Sequence, residues 1–150
     1  MNAPRSYRLQ RVADIAERRT DEAAQVLARC LQMLDVARQQ LQELEQFRLD
    51  YAQAPTAPGQ PGMSAAELRN RQQFVSRIDQ AIVQQRREIE QHTRHLAQAR
   101  AAWIESHSRS AALETVTERC RSREQASAER AEQAALDERM QQRKQPWKDT

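Results

Sequence analysis

Apolar residues recur every seven positions along most of this chain. In the second half, the first apolar position of each heptad (position a) is held by Leu68, Val75, Ile82, Ile89, Leu96 and Trp103. The second apolar position (position d) is held there by Ile78, Ala99 and Leu113, with Gln85 and His92 as polar interruptions. In the first half, position a is held by Ala13, Thr20, Leu27, Leu34 and Leu41, and position d by Leu9, Ala16, Ala23, Cys30, Ala37, Leu44 and Tyr51. A repeat sustained over this many heptads predicts coiled-coil helices.

Residues that break helices are confined to one internal stretch and the two ends. Both glycines and three of the five prolines fall between Pro55 and Gly62, and the other two prolines are Pro4 and Pro146. Glycine and proline are the strongest breakers of regular structure. The pattern therefore predicts a helix over about 6–54, a turn over 55–63 and a helix over about 64–145 that Pro146 closes. Ser64 and Glu67 have the spacing of a capping box at the start of the second helix.

The short turn predicts that the two helices run antiparallel. The predicted fold is all-α: an antiparallel two-helix coiled coil, or long α-hairpin, in which residues 1–150 form a single elongated domain. The second helix is longer and overhangs its partner. Equal counting outward from the turn places Leu9 opposite about Trp103 to Arg109, so we expect later residues to lack a partner in their own chain. No large apolar side chain occurs between Arg121 and Ala135, and we expect this segment to fray, dimerise or dock.

The composition argues against a globular core. Only 4% of residues are aromatic and 30% are charged, and the mean hydropathy is −0.96. No apolar run is long enough to span a membrane, and Met1 to Leu9 lack the apolar stretch of a signal peptide, so we expect a cytoplasmic protein. Cys30 and Cys120 make no disulfide framework and are expected to be small core residues.

The charge balance is weakly basic. The net charge is +3, but both signs are interspersed, which does not favour nucleic-acid binding. The exception is the arginine-rich start of the chain. One candidate function is therefore a basic coiled-coil scaffold or homodimer that associates with an anionic membrane or nucleic acid. Its arginines would neutralise phosphate groups.

No pattern in the sequence indicates catalysis. Nucleophile motifs, phosphate-binding loops and paired catalytic carboxylates are missing from the sequence, so we predict a non-enzyme without cofactor. Glu88, His92 and His95 share one helix face at a spacing that suits a metal. Because two imidazoles and one carboxylate are a small ligand set, we expect a solvated or interfacial face and no metal.

Several segments of the chain occur in a characteristic order: Tyr7–Ala13, Asn70–Phe74, Ile78–Ile82 and Gln84–Gln85, together with Trp103 at mid-helix and Asp137–Glu138 near the end. In this order and spacing they resemble the FliJ family of bacterial flagellar export proteins. The resemblance implies an antiparallel two-helix coiled coil similar to the stalk subunit of rotary ATPases. It also implies a soluble component of the type III export apparatus whose partners are a hexameric export ATPase, the large membrane protein of the export gate and export chaperones. Such a protein lies at the inner face of the cell membrane through its partners.

The resemblance also implies which residues contact the export gate. The family's patch maps onto Gln40, Leu44, Phe47, Tyr51, Phe74, Ile78, Ala81 and Gln85. Phe47 stands where tyrosine is expected, and Gln85 where some relatives carry histidine. The residues themselves support a patch, because Phe47 and Tyr51, like Phe74 and Ile78, are neighbours on a helix surface near the turn. Leu44, Tyr51 and Ile78 are also d positions, so the alternative is that they belong to the seam between the helices.

A second set of residues is expected at the opposite end from the turn. If the basic start and the overhang engage the ATPase ring, the arginines that contact it are Arg5, Arg8, Arg11, Arg18, Arg121, Arg123 and Arg130. The alternative for these residues is a solvated basic helix end.

Overall fold

The computed structural model describes residues 3–53, 62 and 64–144. Helix α1 spans Arg5–Gln53 and helix α2 spans Ala65–Arg143, with 49 and 79 residues respectively. The described residues form the predicted all-α antiparallel two-helix coiled coil with the longer helix second. Most of the predicted turn, the expected end of the second helix at 145, and Pro146 lie outside the described residues.

Burial follows the predicted heptads. In α1, every predicted a and d position is buried or half-buried. In α2, the same holds from Val75 onward, whereas Leu68 is 49% exposed. Leu68 lies nearer the start of α2 than Arg71, whose guanidinium donates to the Tyr51 carbonyl of α1. The periodicity therefore identified the packed face correctly wherever a partner helix lies opposite.

The predicted capping box is present at the start of α2. The amide of Glu67 donates to Ser64 Oγ at 3.2 Å, and the amide of Ser64 donates to Glu67 Oε2 at 3.3 Å. The first turn of a helix leaves its amides without intrahelical acceptors, and each of these bonds satisfies one such donor. The chain after the turn is thereby committed to helix from its first residues.

The packing divides the chain into two compact units. The central unit is Ala23–Trp103. Its core consists of Leu34, Ala37, Ile78, Ile82 and Ala99. Within the seam, the Gln85 amide donates to the Ala37 carbonyl at 2.9 Å and to Gln40 Oε1 at 3.1 Å. A polar residue at position d is therefore accommodated because its amide finds acceptors on α1.

The terminal unit combines Met1–Glu22 with Ile104–Thr150. Among its described residues, the buried ones are all small or polar: Ser6, Ala13, Ala16, Ser110 and Thr117. Thr117 is satisfied by donating to the Leu113 carbonyl at 2.7 Å. Because hydrophobic stabilisation scales with buried apolar area, at about 25 cal/mol per Å², such small side chains contribute little, and this unit depends more on polar contacts.

The expected position of Leu9 opposite Trp103 to Arg109 is wrong. Leu9 instead borders a groove with Val116 and Cys120, and Ser6 bonds Glu124. Equal counting from the turn failed because it assumes that the last turn of α1 faces the first turn of α2. Tyr51 in the last turn of α1 packs against Phe74, well beyond that first turn.

The unpartnered end of α2 is consequently shorter than expected. After the half-buried Ala126, every described residue to position 144 is exposed. Leu136 and Met140 are 53% and 63% exposed, one helical turn apart. The described part of this end is helical, and whether it frays, dimerises or docks in solution stays a prediction.

Candidate functional site

The two helices bring three aromatic side chains together in the central unit. Phe47 and Tyr51 lie in the last turns of α1, and Phe74 lies in α2. Ring centroids are 4.6 Å apart for Tyr51 and Phe74, 5.7 Å for Phe47 and Tyr51, and 6.1 Å for Phe47 and Phe74, all tilted. Tilted rings at this separation attract one another beyond their area burial. We call these three residues the aromatic cluster.

The aromatic cluster forms one wall of an open groove of about 790 Å³. The other lining residues are Asp50, Glu67, Asn70 and Arg71. Phe47 is 50% exposed and Phe74 is 37% exposed, although both could pack in a core. An exposed aromatic surface with a polar rim is a common feature of protein interfaces.

Arg71 is a residue of this groove that sequence reasoning missed. Its guanidinium donates to the carbonyl oxygen of Tyr51 in the last turn of α1, where helix carbonyls lack intrahelical donors. The available signal was an arginine at position d, where an apolar residue is usual. By capping this carbonyl, the Arg71 side chain holds the end of α1, including Tyr51, against α2.

The other residues mapped as gate contacts differ in their burial. Gln40 and Ala81 are exposed, and Leu44 and Gln85 are half-buried. Ile78, in contrast, is 6% exposed and belongs to the core. For the d positions, the two alternatives were a surface patch that contacts the gate and the packed seam between the helices. Ile78 lies in the seam. The assignment of these residues to gate binding stays a prediction.

Three arginines line a second groove, in the terminal unit. Arg5 of α1 and Arg119 and Arg123 of α2 surround Leu9, Val116 and Cys120. The groove holds about 250 Å³, and we call it the arginine groove. Arg5 and Arg123 were predicted from the sequence, whereas Arg119 was missed. The only signal for Arg119 was its position one turn before Arg123.

The remaining predicted arginines are not brought into this groove. Arg121 lies on the other flank, where it donates to Gln10 Oε1 at 3.0 Å and pairs with Glu118 at 3.5 Å. Arg8, Arg11 and Arg18 are exposed along α1, and Arg130 is exposed beyond the paired part of α2. The predicted set is thus dispersed over several surfaces.

Glu124 caps the start of α1 from the partner helix. Its carboxylate accepts from the Ser6 amide at 3.1 Å and from the Ser6 hydroxyl. The bond from the Ser6 hydroxyl is the largest cause that holds the pKa of Glu124 below its ordinary value, and the bond from the Ser6 amide is the next. Cys120 and Arg121 lower this pKa by smaller amounts. A negative charge at a helix N-terminus also interacts favourably with the helix dipole. The bond fixes the register of the terminal unit.

The histidine face forms no cluster. Across the described residues, no group of three or more histidine, cysteine, aspartate or glutamate side chains is placed to hold a metal ion. Glu88 and His92 border a groove with Met33 and Val36, and His95 is exposed. Cys30 and Cys120 are half-buried free thiols at d positions.

Within the described residues, neither helix is apolar enough over a sufficient length to cross a membrane. A family model for the flagellar FliJ protein matches residues 5–145. The flagellar FliJ proteins of Escherichia coli (strain K12) and Salmonella typhi are each 27% identical to this chain over 130 residues, which cover 87% of this chain and 88% of each relative. This chain is matched by the family model over nearly its whole length, and it therefore belongs to the FliJ family of flagellar proteins.

Proposed function

We propose that this protein is a coupling component of flagellar type III protein export, and that it acts by binding partners and not by catalysis. The observation that carries the proposal is the exposed aromatic cluster at the turn end of the central unit. Membership of the FliJ family supports the flagellar context. The proposed site of action is the cytoplasmic face of the cell membrane, reached through the partners.

The aromatic cluster is the proposed contact for the large membrane protein of the export gate. Phe47 and Phe74 are exposed to an extent that a purely structural role does not require. Buried aromatic anchors contribute a large share of the binding energy in protein interfaces. The proposed contact also includes Tyr51 in the aromatic cluster and extends from it along the central unit over Gln40, Leu44, Ala81 and Gln85, with Ile78 supporting it from the core.

Binding of the purified cytosolic part of the gate protein tests this contact. Phe74→Ala is expected to weaken binding at least about tenfold, as truncation of an interface anchor does, with helicity unchanged. Leu49→Ala is the matched control, since Leu49 is 48% exposed at the same end of α1 and does not line the groove. If helicity falls in step with binding, or if both variants bind equally, the cluster is not the gate contact.

The terminal unit is the proposed contact for the hexameric export ATPase. Its arginines Arg5, Arg8, Arg11, Arg18, Arg121, Arg123 and Arg130 are exposed, and the end of α2 presents Leu136 and Met140. Charged contacts at an exposed surface are individually weak, which suits a contact that is made and released repeatedly. The same protein is proposed to escort empty export chaperones.

Deletion of residues 127–150 tests the ATPase contact without disturbing the fold. The truncation keeps Glu124 and therefore the cap on α1. The shortened protein is expected to lose stimulation of ATP hydrolysis by the export ATPase while retaining the helicity of its remaining residues. Undiminished stimulation would show that the end of α2 has no part in the contact.

A further inference from the structure

The two flanks of the terminal unit differ in how they are covered. On one flank, Gln10 and Arg121 join the helices at 3.0 Å. The Ser6–Glu124 bond lies in the seam between them. On the other flank, none of the six described residues that line the arginine groove makes a hydrogen bond or ion pair to the opposite helix. The arginine groove lies on this open flank.

The positive charge of the arginine groove is not neutralised by the chain itself. Arg5, Arg119 and Arg123 make no ion pair with any described residue. The adjacent carboxylate of Glu124 is already bonded to both donors of Ser6, and that of Glu118 pairs with Arg121 on the closed flank. Three cations lining one groove give it a positive potential, so an anionic ligand is favoured.

The rest of the groove lining is apolar, and we call it the floor. It consists of Leu9, Val116 and Cys120, and Val116 is 43% exposed. A volume of about 250 Å³ accommodates one or two side chains. Carboxylates are the side chains that pair with guanidinium groups, and an apolar side chain fits the floor.

We propose that the arginine groove binds an acidic amphipathic segment of a partner protein, which inserts one apolar side chain between two glutamates or aspartates. Arg119 and Arg123 are one helical turn apart on α2, so they match carboxylates one turn apart on a helical ligand. No aromatic side chain lines the groove to stack a nucleotide base. An anionic membrane surface would pair with the arginines but would not place an apolar group against the floor of the groove.

The groove proposal rests on the proposed function only for the identity of the protein that carries the acidic segment. Two separate experiments distinguish a failure of the groove proposal from a failure of the proposed function. Binding of a designed peptide tests the groove alone, whereas co-purification with the export ATPase tests that partner. Loss of peptide binding with intact co-purification would overturn only the groove proposal.

The probe is a fluorescein-labelled helical peptide with one central leucine and two glutamates, three residues before and one residue after the leucine, so that the two carboxylates are one helical turn apart. Its binding to the full chain is measured by anisotropy at 50 and 200 mM salt, and the affinity is expected to fall with salt. The double variant R119Q/R123Q is expected to bind about tenfold more weakly, because two exposed charge pairs are lost. The control R139Q/R143Q removes two arginines at the same spacing outside the groove and is expected to bind normally.

The apolar floor is tested separately by V116Q, which leaves every charge in place. We expect severalfold weaker peptide binding with unchanged helicity. Three results would overturn the proposal: no peptide binding at 50 mM salt; equal binding of a peptide in which glutamine replaces the central leucine; or phosphatidylglycerol–phosphatidylcholine vesicles binding more tightly than the peptide with the same dependence on Arg119 and Arg123.

Discussion

Ile82 and Val83 are adjacent in α2 but face opposite environments. Ile82 is 6% exposed in the seam of the central unit, and Val83 is 48% exposed. Ile82→Ala removes three buried carbon atoms, at about 0.8 kcal/mol for each buried methylene. We therefore expect the free energy of unfolding to fall by about 2–3 kcal/mol, near the lower end for such substitutions, because the thin seam can collapse around the gap.

Val83→Ala is the matched control. It removes apolar atoms of a side chain that is about half exposed to solvent. Alanine also has a higher helix propensity than valine, by about 0.5 kcal/mol. We expect a change close to zero. Both variants are unfolded in urea at pH 7 and followed by helical ellipticity at 222 nm. Equal losses in the two variants, or no loss in Ile82→Ala, would refute the assignment of the seam.

Three further predictions concern the helix ends and the units. Arg71→Ala should lower the free energy of unfolding by about 1 kcal/mol, since it removes the hydrogen bond to the Tyr51 carbonyl; unfolding in urea measures this, with the exposed Arg69→Ala as control. Glu124→Gln should lower the melting temperature at pH 7. The lowered pKa of Glu124 means that its contribution is complete above its ordinary value of 4.5 and is lost as the pH falls through the lower folded value. Amide hydrogen exchange should be faster in the terminal unit than in the central unit, because its seam is small and polar.

Each of these expectations has a result that would contradict it. An equal loss in Arg69→Ala would show that the arginine acts through charge and not through the cap. A difference between wild type and Glu124→Gln that persists unchanged down to pH 2 would exclude the carboxylate–Ser6 bond as its cause. Slower exchange in the terminal unit would show that its polar contacts outweigh the larger apolar core of the central unit.

The sequence predicted the fold better than it predicted the sites. The heptads identified the packed faces, and Ser64 with Glu67 identified the start of α2. Phe47, Tyr51 and Phe74 were correctly expected near one another, because all three lie close to the single break in the chain. Arg71 and Arg119 were missed, since their roles depend on which residues of the other helix lie beside them.

The order of residues along the chain by itself determined that two helices form, about where α1 begins and ends, where α2 begins, and which face of each is packed. These are local properties, set by helix propensity, breakers and a seven-residue period. Only the tertiary structure decided the register, placing Ser6 beside Glu124, and left one flank of the terminal unit open around three arginines. Register depends on contacts between residues far apart in the chain, and a repeat of seven is satisfied equally well by a shift of one heptad.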